Sequence, residues 1–126
     1  MDPKDLKFTK DHEWVSKIVD GVVRVGISEH AQEELGDIVF VDFTEPTVEL
    51  DQGEAALTIE SVKAASDVYA PCKGVLCKIN EALTDESGLV NESPYGDGWL
   101  FELKPEDEAF YAELMDYDAY QDFLSE

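Results

Sequence analysis

Basic residues are scarce in this sequence. Nine Lys and Arg stand against thirty Asp and Glu in 126 residues, a formal net charge of −21. A chain this acidic repels phosphate backbones and anionic lipid surfaces, which argues against nucleic-acid and membrane partners. No apolar run approaches the roughly 18 residues that a helix needs to cross a bilayer. The N-terminal stretch MDPKDLKFTK has neither the apolar centre of a secretory signal nor the Arg- and Ser-rich, acid-poor character of a transit segment. A soluble protein is expected, in the bacterial cytoplasm or alternatively in the mitochondrial matrix after transit-peptide removal. Like-charge repulsion argues for a monomer. Cysteine is also sparse. Cys72 and Cys77 have no His or Cys partners at metal-ligand spacing, so they read as reduced, partly buried residues and no metal site is expected.

What the sequence does have is apolar material in short dense runs. Hydrophobic residues make up 44% of the chain, enough to overcome the tendency of high charge towards disorder. The length suits one domain, residues 1–126. Strand-like runs bounded by turn residues fall at Gly21 to Ile27, Asp37 to Phe43, Ala55 to Ile59, Val68 to Tyr69, Val75 to Ile79 and Trp99 to Leu103. Their spacing predicts a mainly β fold, a sandwich or barrel. Loops are expected at Thr44 to Gly53, Asn80 to Tyr95 and Gly96 to Gly98. One short surface helix interrupts the strands, with Ser28 as N-cap, Glu29 in the first turn and Gly36 as the left-handed C-terminal residue. Past Lys104, Pro105 opens a tract whose apolar residues, from Phe110 to Leu124, recur at helical spacing. One or two helices over about 105–125 are expected there, packed on the core.

The shortage of cations makes one of them conspicuous. From Val25 to Cys72 the only Lys or Arg is Lys63, among eleven acids. Two apolar arms, Ala55 to Ile59 and Val68 to Ala70, flank the small-residue stretch Glu60 to Asp67. This is a hairpin with Val62, Lys63 and Ala64 near its turn. A lysine there is exposed, has small neighbours and can enter another protein's active site, which suits a modification target. A catalytic lysine needs instead a pocket whose desolvation lowers its pKa. From spacing alone, a solvated turn lysine is the simpler alternative.

The residues around it carry a resemblance. ESVKAASDVYAP (Glu60 to Pro71) resembles the lipoylation hairpin of the glycine cleavage system H proteins, with Lys63 at the position of the lipoyl-lysine. FTKDHEWV (Phe8 to Val15) is similar to that family's N-terminal block. VGISEHAQEELGDIVFV (Val25 to Val41) resembles its strand–helix–strand segment, and LVNESPYGDGWL (Leu89 to Leu100) its last signature. Four ordered motifs cover nearly the whole chain. The departures are a turn at Phe43-Thr44-Glu45-Pro46-Thr47-Val48, where the family usually has a proline–glycine type, and Glu34, where some relatives carry histidine.

The resemblance implies a lipoyl-domain-like barrel-sandwich hybrid and a carrier that catalyses nothing itself. It implies lipoate in amide linkage on Lys63, carrying an aminomethyl group from glycine decarboxylase (P protein) to aminomethyltransferase (T protein). Dihydrolipoamide dehydrogenase (L protein) reoxidises the arm, and a lipoate ligase or an octanoyl or lipoyl transferase attaches it. By the same analogy Glu13 and Asp67 lie at the cleft where the loaded arm rests, as carboxylates for a protonated amine. Glu60, three residues before the lysine, is a candidate recognition residue for lipoylation. His12 and His30 have no Ser or Cys nucleophile nearby in sequence, and Asp116, Asp118 and Asp122 lack the glycine and terminal glutamate of a calcium loop. Three other readings stay open: a lipoate relay protein, the lipoyl domain of another multienzyme complex, and an unmodified acidic interaction module. A dehydrogenase lipoyl domain would place Asp before the lysine, where Val62 stands, and a biotin carrier would flank it with methionine.

Overall fold

Strand formation in this chain is driven by apolar faces that two sheets bury against each other. The computed structural model describes residues 2–43 and 48–125. Its strands are β1 (Lys7–Phe8), β2 (Glu13–Val15), β3 (Val23–Ile27), β4 (Ile38–Phe43), β5 (Val48–Leu50), β6 (Ala55–Ser61), β7 (Ala65–Tyr69), β8 (Gly74–Ile79) and β9 (Phe101–Pro105). Its helices are α1 (Glu29–Leu35), α2 (Ala82–Asp85), α3 (Leu89–Glu92) and α4 (Tyr117–Leu124), with 3-10 turns at Pro3–Asp5 and Glu108–Glu113. One sheet runs β1-β2-β3-β9-β8-β5 and the other β4-β6-β7, with every pairing antiparallel. Val23, Val25, Leu76, Phe101 and Leu103 of the first meet Ile38, Val41, Leu57, Ile59 and Val68 of the second in one buried cluster. Each such side chain contributes about 1.5–3 kcal/mol when fully buried. The mainly β architecture matches the expectation.

The surface helix forms where the sequence places it. Ser28 Oγ accepts the Ala31 N–H at 3.2 Å, and Gly36 ends α1 at φ 77°. No residue of α1 is fully buried, and Ala31 and Leu35 pack its inner side on the core.

Several expectations change. Pro105 closes β9 rather than opening a helix; its partner across the ladder is Gly74, and the bond beyond it runs from Glu106 N to Lys73 O. The tract after it holds two helical pieces, as expected, the 3-10 turn Glu108–Glu113 and α4, separated by a strand-like contact in which Phe8 N donates to Met115 O at 2.7 Å and Met115 N to Phe8 O at 3.0 Å. Two short helices, α2 and α3, occupy the stretch expected as a loop from Asn80 to Tyr95, and β5 lies within the one expected from Thr44 to Gly53. Cys72 is buried, but Cys77 is exposed, because Leu76 beside it faces the core and alternation turns Cys77 outward; the register shift between Leu76 and Lys78 keeps Lys78 outside as well. The turn residues Thr44 to Thr47 lie outside the described residues.

A second buried cluster locks the chain ends together. Phe8 stacks on Tyr120 with ring centroids 4.5 Å apart, and Leu6 and Trp14 complete it. Trp14 needs space that only glycine leaves on β3: a Cβ at Gly26 would lie 2.5 Å from the Trp14 ring. Gly26→Ala is therefore expected to lower the unfolding free energy by about 1–3 kcal/mol through overpacking. Urea unfolding monitored by tryptophan fluorescence measures this, and a variant as stable as the parent refutes it.

Candidate functional site

The hairpin of β6 and β7 reverses at Val62 and Lys63, and one hydroxyl organises the turn. Ser61 Oγ accepts the N–H groups of Lys63 and Ala64, both at 3.1 Å, and donates to Ala64 O at 3.0 Å. Ser61 N also donates to Ala64 O, at 2.8 Å. The tip rests on the exit of α1, because Val62 N donates to Asp37 O at 3.0 Å. Lys63 is exposed, and among the described residues it has no ion-pair partner. A Cβ added at Gly36 would lie 3.4 Å from Lys63 Cε, so the lysine stem passes close over that glycine. Gly36 thus serves two ends: its positive φ ends the helix, and its missing side chain leaves the stem its path.

Asn91 of α3 fixes this pedestal. Its Oδ1 accepts Ile38 N at 2.8 Å, while its Nδ2 donates to Gly36 O at 2.9 Å and to Gln32 Oε1 at 2.8 Å. One amide therefore holds the end of α1 and the start of β4 in register.

Beside the hairpin lies a cleft of about 240 Å³, lined among others by His12, Glu13, Ala31, Glu34, Ser66 and Asp67. Asp67 stands four residues along the chain from Lys63, roughly 13 Å at strand rise. Glu13 enters the cleft because the turn before it is tight. Thr9 N donates to Glu13 O at 2.9 Å, and His12 adopts φ 67°. Only 2% of Glu13 is exposed. Its carboxyl accepts Tyr69 N at 2.6 Å and Thr9 Oγ1 at 3.2 Å. Burial pushes its pKa up to about 8, with the Asp11 charge adding to the rise, while the Tyr69 and Thr9 bonds oppose it. Asp67 is exposed and accepts Thr58 Oγ1 at 2.9 Å. Glu34 sits 3.0 Å from His30 Nε2.

Of the residues named from sequence, Glu13 and Asp67 share the cleft. Glu60 does not: it is exposed on the outer side of β6, opposite Phe40. Sequence reasoning missed the hydrogen-bonded group behind the cleft. His12 Nδ1 lies 2.8 Å from Tyr120 Oη, which lies 2.7 Å from Ser28 Oγ, the cap of α1. Burial lowers the His12 pKa, the nearby His30 lowers it further, and Glu34 and Asp11 act against both. Burial also pushes the Tyr120 phenol up to about 12. Nothing in the local pattern links Tyr120 to His12, because 108 residues separate them.

A buried carboxyl and exposed ones thus line a cleft beside the hairpin that carries the exposed lysine. Comparison with known proteins gives the family. The family model described as glycine cleavage H-protein matches residues 6–126. The glycine cleavage system H protein of Cronobacter sakazakii is 49% identical over 124 residues, covering 98% of this chain and 96% of that protein. That of Halorhodospira halophila is 50% identical over 124 residues, covering 98% and 95%. The crystal structure of a glycine cleavage system H protein from Mycobacterium marinum superposes with a TM-score of 0.87 at 36% identity, covering 98% of this chain and 99% of that one. The lipoyl-domain-like barrel-sandwich fold is thereby shown.

The raised pKa of Glu13 has a thermodynamic signature. Between the ordinary value of 4.5 and about 8, the folded protein keeps a proton that the unfolded chain has released. The stability it contributes is full below about pH 4.5 and is lost as pH rises through about 8. Glu13→Gln should remove this decline, so urea midpoints near pH 5 and near pH 8 lie closer together in the variant than in the parent. An unaltered pH dependence refutes the assignment.

Proposed function

The chain belongs to the glycine cleavage H-protein family, and from that premise we propose that Lys63 is its lipoyl attachment site and that the carboxyl-lined cleft is where the arm rests. The protein is a carrier component of the glycine cleavage system, not a catalyst, and it works with the other components of that system. The observation that carries the site assignment is the hairpin itself. It presents one unpaired lysine at its tip, with the cleft beginning at Ser66 of β7, three residues on.

The residues present fit such a group. Lys63 has the exposure that a modifying enzyme requires, and Gly36 leaves its stem unobstructed. Bound there, lipoate supplies a redox-active dithiolane on a long flexible tether. The chain's own residues do the rest. Glu13 holds a proton while the cleft is empty of charge, and a cation brought into the cleft would draw that proton off and leave a buried carboxylate as its partner. Asp67 and Glu34 add negative charge at the rim, and Ile59 and Val68 supply apolar wall that limits the approach of water.

The same reading extends to partners and place. Glycine decarboxylase, aminomethyltransferase and dihydrolipoamide dehydrogenase are the proteins the arm visits, and a lipoate ligase or an octanoyl or lipoyl transferase loads it. Glu60, exposed three residues before Lys63, contributes to recognition by the loading enzyme. The cytoplasm is the proposed compartment. Among the described residues no helix is long and apolar enough to cross a membrane.

The test is direct. Protein incubated with lipoate, ATP and a lipoate ligase should gain one lipoyl adduct by intact mass spectrometry, Lys63→Arg should gain none, and only the loaded parent should support glycine decarboxylation with the partner enzymes. An adduct that persists in Lys63→Arg overturns the site assignment.

A further inference from the structure

Four large apolar side chains stand exposed among the described residues, and three of them gather beside Lys63. Val39 is 56% exposed, Phe40 45% and Val62 66%. Simple alternation along β4 would turn one of Val39 and Phe40 inward. A register shift between Ile38 and Phe40 prevents it, so that Ile38 and Val41 both enter the core while the two residues between them face out. Across the ladder Ile38 opposes Ser61 and Phe40 opposes Glu60, and Val62 N bonds to Asp37 O. Val39 and Phe40 therefore flank the tip that carries Val62 and Lys63. The bulge brings Ile38 and Val41 into the core, but it leaves two large apolar groups held in water, which is unfavourable unless something covers them. Such irregularities collect where a surface is used.

The rim of this patch has one sign. Asp37, Asp42 and Glu60 are all exposed around it, and no other Lys or Arg occurs from Val25 to Cys72. An apolar centre ringed by carboxylates is complementary to an apolar spot ringed by basic side chains. The occupant is constrained further by chemistry. An enzyme that acylates Lys63 must hold the tip while the deprotonated Nζ attacks the carbonyl carbon of an acyl-adenylate. The amide bond forms, AMP leaves with the electron pair of the broken bond, and the amine's proton passes to solvent. The turn offers only Val62, Lys63 and Ala64 to grip, so the remaining contact has to come from what lies beside it.

We propose that Val39, Phe40 and Val62, with the acidic rim of Asp37, Asp42 and Glu60, form the docking surface for the enzyme that acylates Lys63, which meets it with an apolar spot framed by basic residues. This rests on the reading that Lys63 is acylated, and the experiment separates the two. Unloaded protein is incubated with lipoate, ATP and a lipoate ligase at protein concentrations around and below KM, and adduct formation is followed by intact mass. Phe40→Ser and Val62→Ser are each expected to lower kcat/KM by about tenfold, through KM rather than kcat, as loss of a central apolar anchor does. Phe40→Leu should keep most of the rate. Val19→Ser, at a residue 65% exposed on another hairpin, should leave it unchanged. Thermal unfolding of all four should stay near the parent's, since exposed substitutions cost little stability. Parent-like acylation of Phe40→Ser and Val62→Ser overturns the docking surface, as does equal slowing of Val19→Ser. Normal acylation with loss only of glycine decarboxylation also overturns it, by assigning the patch to a later partner. Absence of any adduct on the parent overturns the acylation reading instead.

Discussion

Asn91 satisfies groups from two different elements at the place where α1 ends and β4 begins. Without it, the Gly36 carbonyl and the Ile38 amide would each need another partner at a half-buried junction. The placement of Lys63 follows from that junction. Asp37, between the two clamped residues, accepts the amide of Val62, and Gly36 leaves the lysine stem its path. Ser61 then closes the turn from within. A lysine whose backbone is fixed on two sides, while its side chain stays free, combines a defined address with a mobile arm. The first property suits recognition by enzymes and the second suits delivery between them.

Burial of Glu13 is the second constraint, and it ties the two sheets. The residue belongs to β2 of the larger sheet, and its carboxyl takes the amide of Tyr69 at the end of β7 in the smaller one. The two hydrogen bonds donated to its oxygens favour the ionised carboxylate, and burial, the larger effect, favours the neutral acid. Glu13 therefore stabilises the packing of the sheets while remaining able to ionise if a cation enters. The exposed carboxylates nearby, Asp67 and Glu34, are held less firmly and shape the rim of the cleft rather than its floor.

Much of this was legible in the sequence, for identifiable physical reasons. The surface helix could be placed to the residue because Ser28 and Gly36 are local signals that act within a turn of the backbone. The hairpin of Lys63 could be placed because its two strands are adjacent in the chain. What escaped depends on long-range contact. The strands β1 and β2 are too short to show alternation, and in β8 a bulge after Leu76 leaves Cys77 and Lys78 both outside, which blurs its inward face. Pro105 read as a helix opener because nothing near it in sequence announces Gly74 across the ladder. The link from His12 through Tyr120 to Ser28 joins both ends of the chain to its middle, and no local pattern encodes it. The roles given to Glu13 and Asp67 came from family resemblance. Geometry adds that they share one cleft, and that Glu60 stands apart from it on the outer side of β6, opposite Phe40.

The contact of Phe8 with Met115, and of Tyr120 with His12 and Ser28, bears on the order in which the molecule is completed during synthesis. The hairpin of Lys63 closes between neighbours in sequence and can form as soon as its residues have left the ribosome. The packing behind the cleft cannot, because Tyr120, which backs His12, is among the last residues made and Phe8 among the first. A nascent chain thus has its lysine hairpin before the support behind His12 is in place. The hairpin belongs to the early part of the chain, whereas the backing of the cleft waits for the last helix.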